Sequence, residues 1–329
     1  MEKLKELIKE ITTNSNDMIK VTISCNYHEK SNFCRQDGKY LSDQWFDSAR
    51  DFKNAFAAVE LKDKWNYINS DGKIISEQWF DWVDDFYNGF ARVRLNGKGY
   101  NLINTDGKLI SDQWFDGVVD FYGGFAKVKL NNKHNFINTA GEYLTDQWFD
   151  YEWDFSNGFA MVKLNGKGYN FINPEGNLIS DQWFDEVDNF YNGFGQVNLN
   201  GTWNLINKEG KLISEQWFDM VWYIQDGFAK IKLNERYNYI NTEGEIISEQ
   251  WFDWVVDFEE GFARVKFNGK WNFINKEGKL ISEQWFDDVL GFEEGFAKVY
   301  KTEEDFYNKK RYYLGTDGQL YDCNKQPLQ

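Results

Sequence analysis

The chain contains little proline, cysteine or histidine. Its 329 residues include only two prolines, three cysteines and two histidines. The cysteines Cys25, Cys34 and Cys323 form no Cys-x-x-Cys pair and do not alternate with His28 or His134. This pattern argues against a zinc site and favours free thiols in a reducing compartment. Two distant histidines also provide little for nucleophilic or metal chemistry.

Long apolar segments and positive charge are scarce as well. The charged start MEKLKELIKEI fits neither a signal peptide nor a membrane-spanning helix, so a cytoplasmic location is expected. With 37 basic against 53 acidic residues, the formal net charge is -16. A field of this sign repels phosphate backbones and anionic lipids, which makes nucleic acid and membranes poor partner candidates. Aromatic residues, at 19% of the chain, indicate a folded protein.

One tetrapeptide, Gln-Trp-Phe-Asp, occurs eight times along the chain. Its copies follow one another at intervals of 34 or 35 residues. A period this strict indicates one structural unit repeated eight times. The tryptophans of the eight copies are Trp45, Trp79, Trp114, Trp148, Trp183, Trp217, Trp251 and Trp285.

The strands of one unit can be predicted from the copy near the end of the array. Ala263, Val265 and Phe267 alternate with charged residues, which is the period of a half-buried strand. Asn268-Gly269 follows at once and predicts a tight hairpin. The unit is therefore expected to be a meander of about four short antiparallel strands, at residues 262–267, 270–275, 280–287 and 289–292.

Three segments of the unit resemble a known repeat family. They are Lys64-Trp65-Asn66-Tyr67-Ile68-Asn69, Trp79-Phe80-Asp81 and the segment from Phe86 to Val93. The pattern is similar to the bacterial WG, or KWG, repeat family, and the resemblance covers nearly the entire chain. It implies a repeat architecture, often an interaction role, and a bacterial or phage source, but no defined activity.

The repeats depart from the family pattern in two ways. Asparagine replaces the glycine of the Trp-Gly pair, as in Trp203-Asn204 and Trp271-Asn272. Some copies also replace the tryptophan, as in Tyr100.

Two architectures accommodate such units: an open superhelical array of stacked meanders, and an eight-bladed β-propeller. Residues 19–24 and 31–38 resemble a degenerate last strand pair, so the chain holds eight units and an extra half. This surplus and the short period favour the all-β open array. We expect an N-terminal cap at 1–37, including an amphipathic helix over about the first eleven residues, the array at 38–299, and a C-terminal cap at 300–329.

Recurring polar residues suggest turns more strongly than chemistry. Asp81, Asp116 and Asp253 occupy equivalent positions, whereas acid-base catalysis needs neighbouring groups with different pKa values. The turn that begins at Asn104 resembles a calcium loop, but Gln113 stands where the closing Glu would be. We therefore expect no catalytic residue, no metal site, no cofactor and no enzyme activity.

The positions that vary most lie directly after each Gln-Trp-Phe-Asp. Alternation places the first and third of these positions on one face of a strand, where successive repeats would align them into a surface that could contact a partner. Trp and Tyr dominate binding hot spots, although aromatic residues can equally fill gaps between repeats. The predicted binding residues are Trp82, Tyr151, Trp153, Trp222 and Trp254.

These features favour a non-catalytic scaffold that recognises an extended protein partner of unknown identity. A carbohydrate-binding module is the alternative, because aromatic rings stack on sugars. The third candidate is an acidic mimic of nucleic acid that inhibits a basic protein, which would require the negative charge to cluster on one face.

Overall fold

A computed structural model describes residues 19–25, 28–35, 37–308 and 310–328. The chain divides into two compact units, residues 1–154 and 155–329. Both units are built from short antiparallel β-meanders, which confirms the all-β tandem-repeat fold. The predicted N-terminal helix lies outside the described residues.

The described residues of the first unit form twelve strands. β1 and β2 form a hairpin, which confirms the strand pair expected before the first repeat. Three sheets of three strands follow in chain order: β3 to β5, β6 to β8, and β9 to β11. The strands are β1 (Ile19–Cys25), β2 (His28–Cys34), β3 (Ser48–Ala49), β4 (Phe56–Leu61), β5 (Lys64–Asn69), β6 (Trp82–Val83), β7 (Phe90–Leu95), β8 (Gly99–Asn104), β9 (Gly117–Val118), β10 (Phe125–Leu130), β11 (Lys133–Asn138) and β12 (Tyr151–Glu152).

The second unit continues the same pattern. The hairpin of β13 and β14 is followed by the sheets β15 to β17, β18 to β20, and β21 to β23, and by a four-stranded sheet of β24 to β27. The elements are β13 (Ala160–Leu164), β14 (Gly168–Ile172), β15 (Glu186–Tyr191), β16 (Phe194–Leu199), β17 (Thr202–Asn207), β18 (Met220–Val221), β19 (Phe228–Leu233), β20 (Arg236–Asn241), β21 (Trp254–Val255), β22 (Phe262–Phe267), β23 (Lys270–Asn275), β24 (Asp288–Glu293), β25 (Phe296–Tyr300), the helix α1 (Glu303–Tyr307), β26 (Tyr312–Gly315) and β27 (Leu320–Tyr321).

The hairpin predicted at Asn268-Gly269 is confirmed with the expected bounds, as β22 and β23. The predicted strand at 280–287 is wrong. This segment makes only two isolated bridges, from Leu280 to Ile274 and from Phe286 to Trp271. It cannot be one continuous strand because it passes from one sheet to the next: Phe286 pairs with β23, whereas the backbone N–H of the next residue, Asp287, donates to Tyr300 of β25 at 2.9 Å.

The strand predicted at 289–292 is confirmed as β24 in the last full repeat. Most other repeats have only two residues in this strand, and a register irregularity between Val289 and Phe292 accompanies the longer form. The usual repeat thus has two long strands and one very short edge strand.

Successive sheets pack face to face within each unit. Tyr239 of β20 lies in one buried cluster with Phe252, Val255 and Val265 of the following repeat. The rings of Phe228 and Phe258, from the same two repeats, stack with centroids 4.5 Å apart. Each sheet therefore contributes its inner face to its own core, and the next repeat covers the part of its outer face that carries Tyr239. Lys232 and Tyr237, which lie nearer the hairpin turn on the same outer face, are only half-buried.

A buried asparagine in the third strand of each repeat holds the connecting segment. The side-chain amide of Asn272 donates to the carbonyl oxygens of Ser282 at 2.7 Å and Gln284 at 3.2 Å. Its side-chain oxygen accepts from the backbone N–H of Phe273. A glycine at this position, as in the family pattern, has no side chain to make these bonds. The equivalent residues are Asn32, Asn66, Asn101, Asn135, Asn170, Asn204, Asn238 and Asn272, and all are buried.

The glycine after this strand allows two repeats to approach closely. Gly244 has a φ of +87°, and a Cβ atom there would lie only 1.9 Å from the carbonyl oxygen of Ile213 in the preceding repeat. Gly107 makes the equivalent approach to Ile75. Only glycine tolerates both the left-handed backbone and the contact.

Candidate partner-binding surface

The side chains after each Gln-Trp-Phe-Asp alternate as predicted. In the second repeat, Val83 is fully buried and pairs with Val93. Trp82 is half-buried and lies opposite Arg94. The first and third positions therefore lie on the outer face of each sheet, and the second position belongs to the core.

The recurring aspartates serve the hairpin turns. Asp219 accepts a hydrogen bond from the backbone N–H of Asn234 at 2.7 Å, and Asp116 accepts one from Asn131 in the same way. Asp81 accepts from the backbone N–H of a hairpin turn and is also paired with a lysine. These contacts confirm that the aspartates act in local turns.

The calcium-like segments are Asx turns. The side-chain oxygen of Asn104 accepts from the backbone N–H groups of Asp106 at 3.1 Å and Lys108 at 3.0 Å. This oxygen is therefore committed to the turn. Within the part of the chain that the structure describes, no three His, Cys, Asp or Glu side chains are grouped as metal ligands.

Trp82 lies in a patch of aromatic and cationic side chains. Its ring is 6.3 Å from that of Tyr100, nearly perpendicular to it. The guanidinium carbon of Arg92 is 6.0 Å from the Trp82 ring, and that of Arg94 is 5.8 Å from the Tyr100 ring. Because most of the Trp82 side chain is buried, it fills part of the gap between strands.

Tyr151 and Trp153 are more exposed, at 56% and 39%. They flank Glu152, whose carboxylate oxygen lies 2.6 Å from Nδ1 of His134. Burial raises the pKa of Glu152 to about 7, against a smaller opposing effect of Lys127. Burial lowers the pKa of His134, and nearby lysines add to that effect.

Sequence reasoning missed the pair formed by Glu152 and His134. The sequence did contain a signal for this pair, because the other repeats have Val or Ala at the position of Glu152. A single polar residue at a repeated core position indicates a local difference in that repeat.

Trp222 and Trp254 are brought together by Tyr237. The Tyr237 ring centroid is 6.1 Å from that of Trp222 and 5.0 Å from that of Trp254. The ammonium groups of Lys230 and Lys232 lie 5.6 Å from the Trp222 ring and 5.7 Å from the Tyr237 ring. We call these five residues the cation-aromatic patch of the second unit.

A shallow cavity of about 270 Å³ adjoins Trp222, with Gln196, Trp203, Met220 and Tyr223 in its lining. Trp254 is 50% exposed and Met220 is 47% exposed. The outer face at this point thus offers both a depression and accessible apolar side chains.

A family model described as a WG containing repeat matches eight segments of the chain. The matched residues are 46–65, 67–98, 102–133, 136–167, 171–203, 205–237, 239–271 and 273–303. The chain belongs to the WG-repeat family. Among curated proteins, none matches this WG-repeat chain.

Several solved structures share a weak likeness with the WG-repeat chain. A eukaryotic initiation factor is 10% identical, with 96% of each chain covered and a TM-score of 0.29. BamB from Moraxella catarrhalis is 8% identical over 86% of this chain and 96% of its own, with a TM-score of 0.25. Hsv2 of Kluyveromyces lactis is 10% identical over 75% and 89%, with a TM-score of 0.29. TM-scores of this size support no argument about fold or function.

In the described part of the WG-repeat chain, no helix is long and apolar enough to cross a membrane. The family match covers the repeated segments and leaves the partner undefined. The outer-face residues described above differ from one WG repeat to the next.

Proposed function

We propose that this WG-repeat protein is a non-catalytic recognition protein that binds a protein partner through the outer faces of its sheets. The observation that carries the proposal is the contrast between neighbouring positions of one strand. Val255 is almost fully buried and repeats as Val in most copies, whereas Trp254 beside it is half exposed and differs between copies. A large aromatic side chain held in water at a variable position is typical of a binding hot spot.

The recurring carboxylates support the non-catalytic part of the proposal. Asp116 and Asp219 each accept a backbone hydrogen bond within a turn, so their oxygens have structural partners. The free thiols of Cys34 and Cys323 are consistent with the reducing cytoplasm as the place of action.

Affinity capture with the intact chain as bait tests the proposal. The test bait carries Trp222→Ala and Trp254→Ala. The matched control bait carries Tyr122→Ala and Tyr307→Ala, which remove two exposed aromatic side chains (67% and 74%) outside the variable positions. Circular dichroism and thermal unfolding verify that each bait is folded.

We expect a protein captured by the intact bait and the control bait to be lost from the Trp222→Ala, Trp254→Ala bait. Retention of the same proteins by all three folded baits would show that this face is not the binding surface. Capture of no protein by the intact bait would remove the protein-partner proposal and direct the question to glycans.

A further inference from the structure

Cationic side chains collect on the outer face of the sheets, although the chain as a whole is strongly acidic. In each typical repeat the second strand begins with Phe and Ala, followed by a cation, Val or Ile, and a second cation. Ala and the Val or Ile face the core of their own repeat, and both cations lie half-buried on the opposite face of the sheet. These cations lie on the same face as the variable aromatic residues and beside them across the strand pair, as Lys266 does beside Trp254. They are Arg92, Arg94, Lys127, Lys129, Lys230, Lys232, Arg264 and Lys266.

On the strength of the proposed function, we infer that the outer face of the second unit, centred on its cation-aromatic patch, binds an acidic segment of the partner protein in extended form. Lys230 and Lys232 would receive carboxylates, and Trp222, Tyr237 and Trp254 would contact the apolar side chains between them. Ammonium groups held beside aromatic rings present their N–H groups to an incoming carboxylate while their stems remain packed.

The present partners of these lysines are exposed and can be replaced. Lys232 pairs with Glu235 at 3.0 Å, and the side chain of Glu235 is 88% exposed. Lys230 pairs with Asp257 at 3.0 Å, and Asp257 is about half exposed. The lysine side chains themselves are only 22% exposed at Lys230 and 17% exposed at Lys232, so their stems are packed while the partner carboxylates face solvent. A carboxylate from a ligand would replace Asp257 and Glu235 at the same ammonium groups.

Lys266 extends the site into the next repeat. It stands between Trp254 and Trp271 in the register of the sheet, and its ammonium group lies 5.2 Å from the Trp271 ring. Within the described residues no carboxylate is placed within ion-pairing distance of it. The ammonium group of Lys266 could therefore pair with a carboxylate of the ligand.

The spacing of the repeats sets the expected pattern of the ligand. Sheets that pack face to face lie roughly 10 Å apart, and an extended chain advances about 3.3 Å per residue. A peptide that runs across the repeats would therefore place about every third residue over an equivalent lysine. A ligand with an acidic residue at every third position and apolar residues between them would match the alternating ammonium groups and aromatic rings of the patch.

An acidic peptide fits this chain better than a nucleic acid does. Nucleic acid also offers negative charge and stacking rings, but its charge is uninterrupted. The net charge of -16 and the exposed Glu215, Glu249 and Glu283, which precede the Gln of each repeat, would repel a continuous polyanion.

Fluorescence anisotropy with the full chain tests the inference. The probe is a fluorescein-labelled peptide of about twelve residues that repeats Glu-Tyr-Ser, so that a carboxylate recurs at every third position. A Gln-Tyr-Ser peptide of the same length and a single-stranded oligothymidine are the comparison probes.

The experiment compares two variants of the patch. One carries Lys230→Gln together with Lys232→Gln, and the other carries Lys266→Gln alone. The control is Lys208→Gln with Lys211→Gln, which removes two exposed turn lysines and causes the same change in net charge as the double patch variant.

We expect the Glu-Tyr-Ser peptide to bind, with an affinity that falls as salt rises from about 50 to about 500 mM. The double patch variant should lose about tenfold in affinity, because two charge-assisted hydrogen bonds disappear. Lys266→Gln should weaken binding as well, and the control should stay within about twofold. The inference would be overturned if the Glu-Tyr-Ser peptide did not bind, or if the Gln-Tyr-Ser peptide bound equally well. It would also be overturned if the patch and control variants lost affinity equally, or if oligothymidine bound more tightly than the Glu-Tyr-Ser peptide.

The outcome is separable from that of the proposed function. If a partner captured through Trp222 and Trp254 is still retained by the folded Lys230→Gln, Lys232→Gln bait, the aromatic face is the binding surface and the acidic-segment inference is wrong. If the peptide binds through the lysines but no protein depends on the tryptophans, the proposed use of the aromatic side chains is wrong.

Discussion

The carboxylate of Glu152 and the imidazole of His134 lie 2.6 Å apart at a position where other repeats place Val or Ala in the core. The pair is only slightly exposed, and its near surroundings include Lys127, Lys129, Asp150 and Asp154. One repeat of the array therefore contains an ionisable contact where its neighbours have an apolar one.

Glu152→Val should stabilise the protein at neutral pH and change its pH dependence. Burial raises the pKa of Glu152 from its ordinary 4.5 to about 7, so the folded chain holds a proton that the unfolded chain releases. The free energy of unfolding therefore falls as pH rises from about 4.5 to about 7. After allowance for solvent screening, the variant should gain about 1 to 2 kcal/mol over the natural chain at pH 8.

Urea unfolding of both chains at several pH values between 4.5 and 8 measures this difference. Glu152→Gln, which keeps the shape without the charge, should show the same loss of pH dependence. A gap between the natural chain and Glu152→Val that does not grow with pH would contradict the assignment of the raised pKa to Glu152.

Asn272→Gly, which restores the residue of the family pattern, should destabilise this chain. It removes the side-chain hydrogen bonds to Ser282 and Gln284 and leaves buried carbonyl oxygens without those donors. The expected cost is about 2 to 3 kcal/mol. Chemical denaturation measures it, and Asn268→Gly is the matched control, because Asn268 is exposed with a φ of 48° that glycine adopts easily. Equal stability of the two variants would refute the holding role of Asn272.

Gly244→Ala should be far more damaging than Gly261→Ala. Both residues have a φ near +88°, so both substitutions carry the left-handed backbone cost of about 1 kcal/mol. Only at Gly244 would the new Cβ meet a backbone oxygen, that of Ile213; at Gly261 nothing lies within 4 Å. We expect an additional loss of at least about 2 kcal/mol at Gly244, measured by thermal or urea unfolding. Similar losses at the two sites would mean that the close approach between repeats is not needed.

Cys34 should react slowly with thiol reagents and Cys323 quickly. Cys34 is fully buried, and burial raises the pKa of its thiol, which reduces its thiolate fraction. Cys323 is exposed. In a chain that carries Cys25→Ser, mass spectrometry after brief alkylation should find the label at Cys323, and at Cys34 only after unfolding in urea. Rapid labelling of Cys34 in the native chain would show that its surroundings open readily.

The repeat, the hairpin of residues 262–275 and the inward position of Val83 were all predictable from the sequence. Each depends on local rules: a strict period, a tight Asn-Gly turn, and the alternation of side chains along a strand. The segment 280–287 was predicted wrongly, because its strand-like composition reflects a crossing between two sheets. That crossing depends on the amide of Asn272, which acts across ten or more residues.

The all-β repeat architecture and the positions that vary after each Gln-Trp-Phe-Asp follow from the order of the residues alone. How much of each predicted binding residue is accessible depends on packing in three dimensions: Trp82 and Trp222 are half-buried, whereas Tyr151 and Trp254 are exposed. The same packing places Glu152 against His134 and Trp222 against Tyr237. Those pairings depend on contacts between separate strands and repeats, whose distances a linear pattern does not contain.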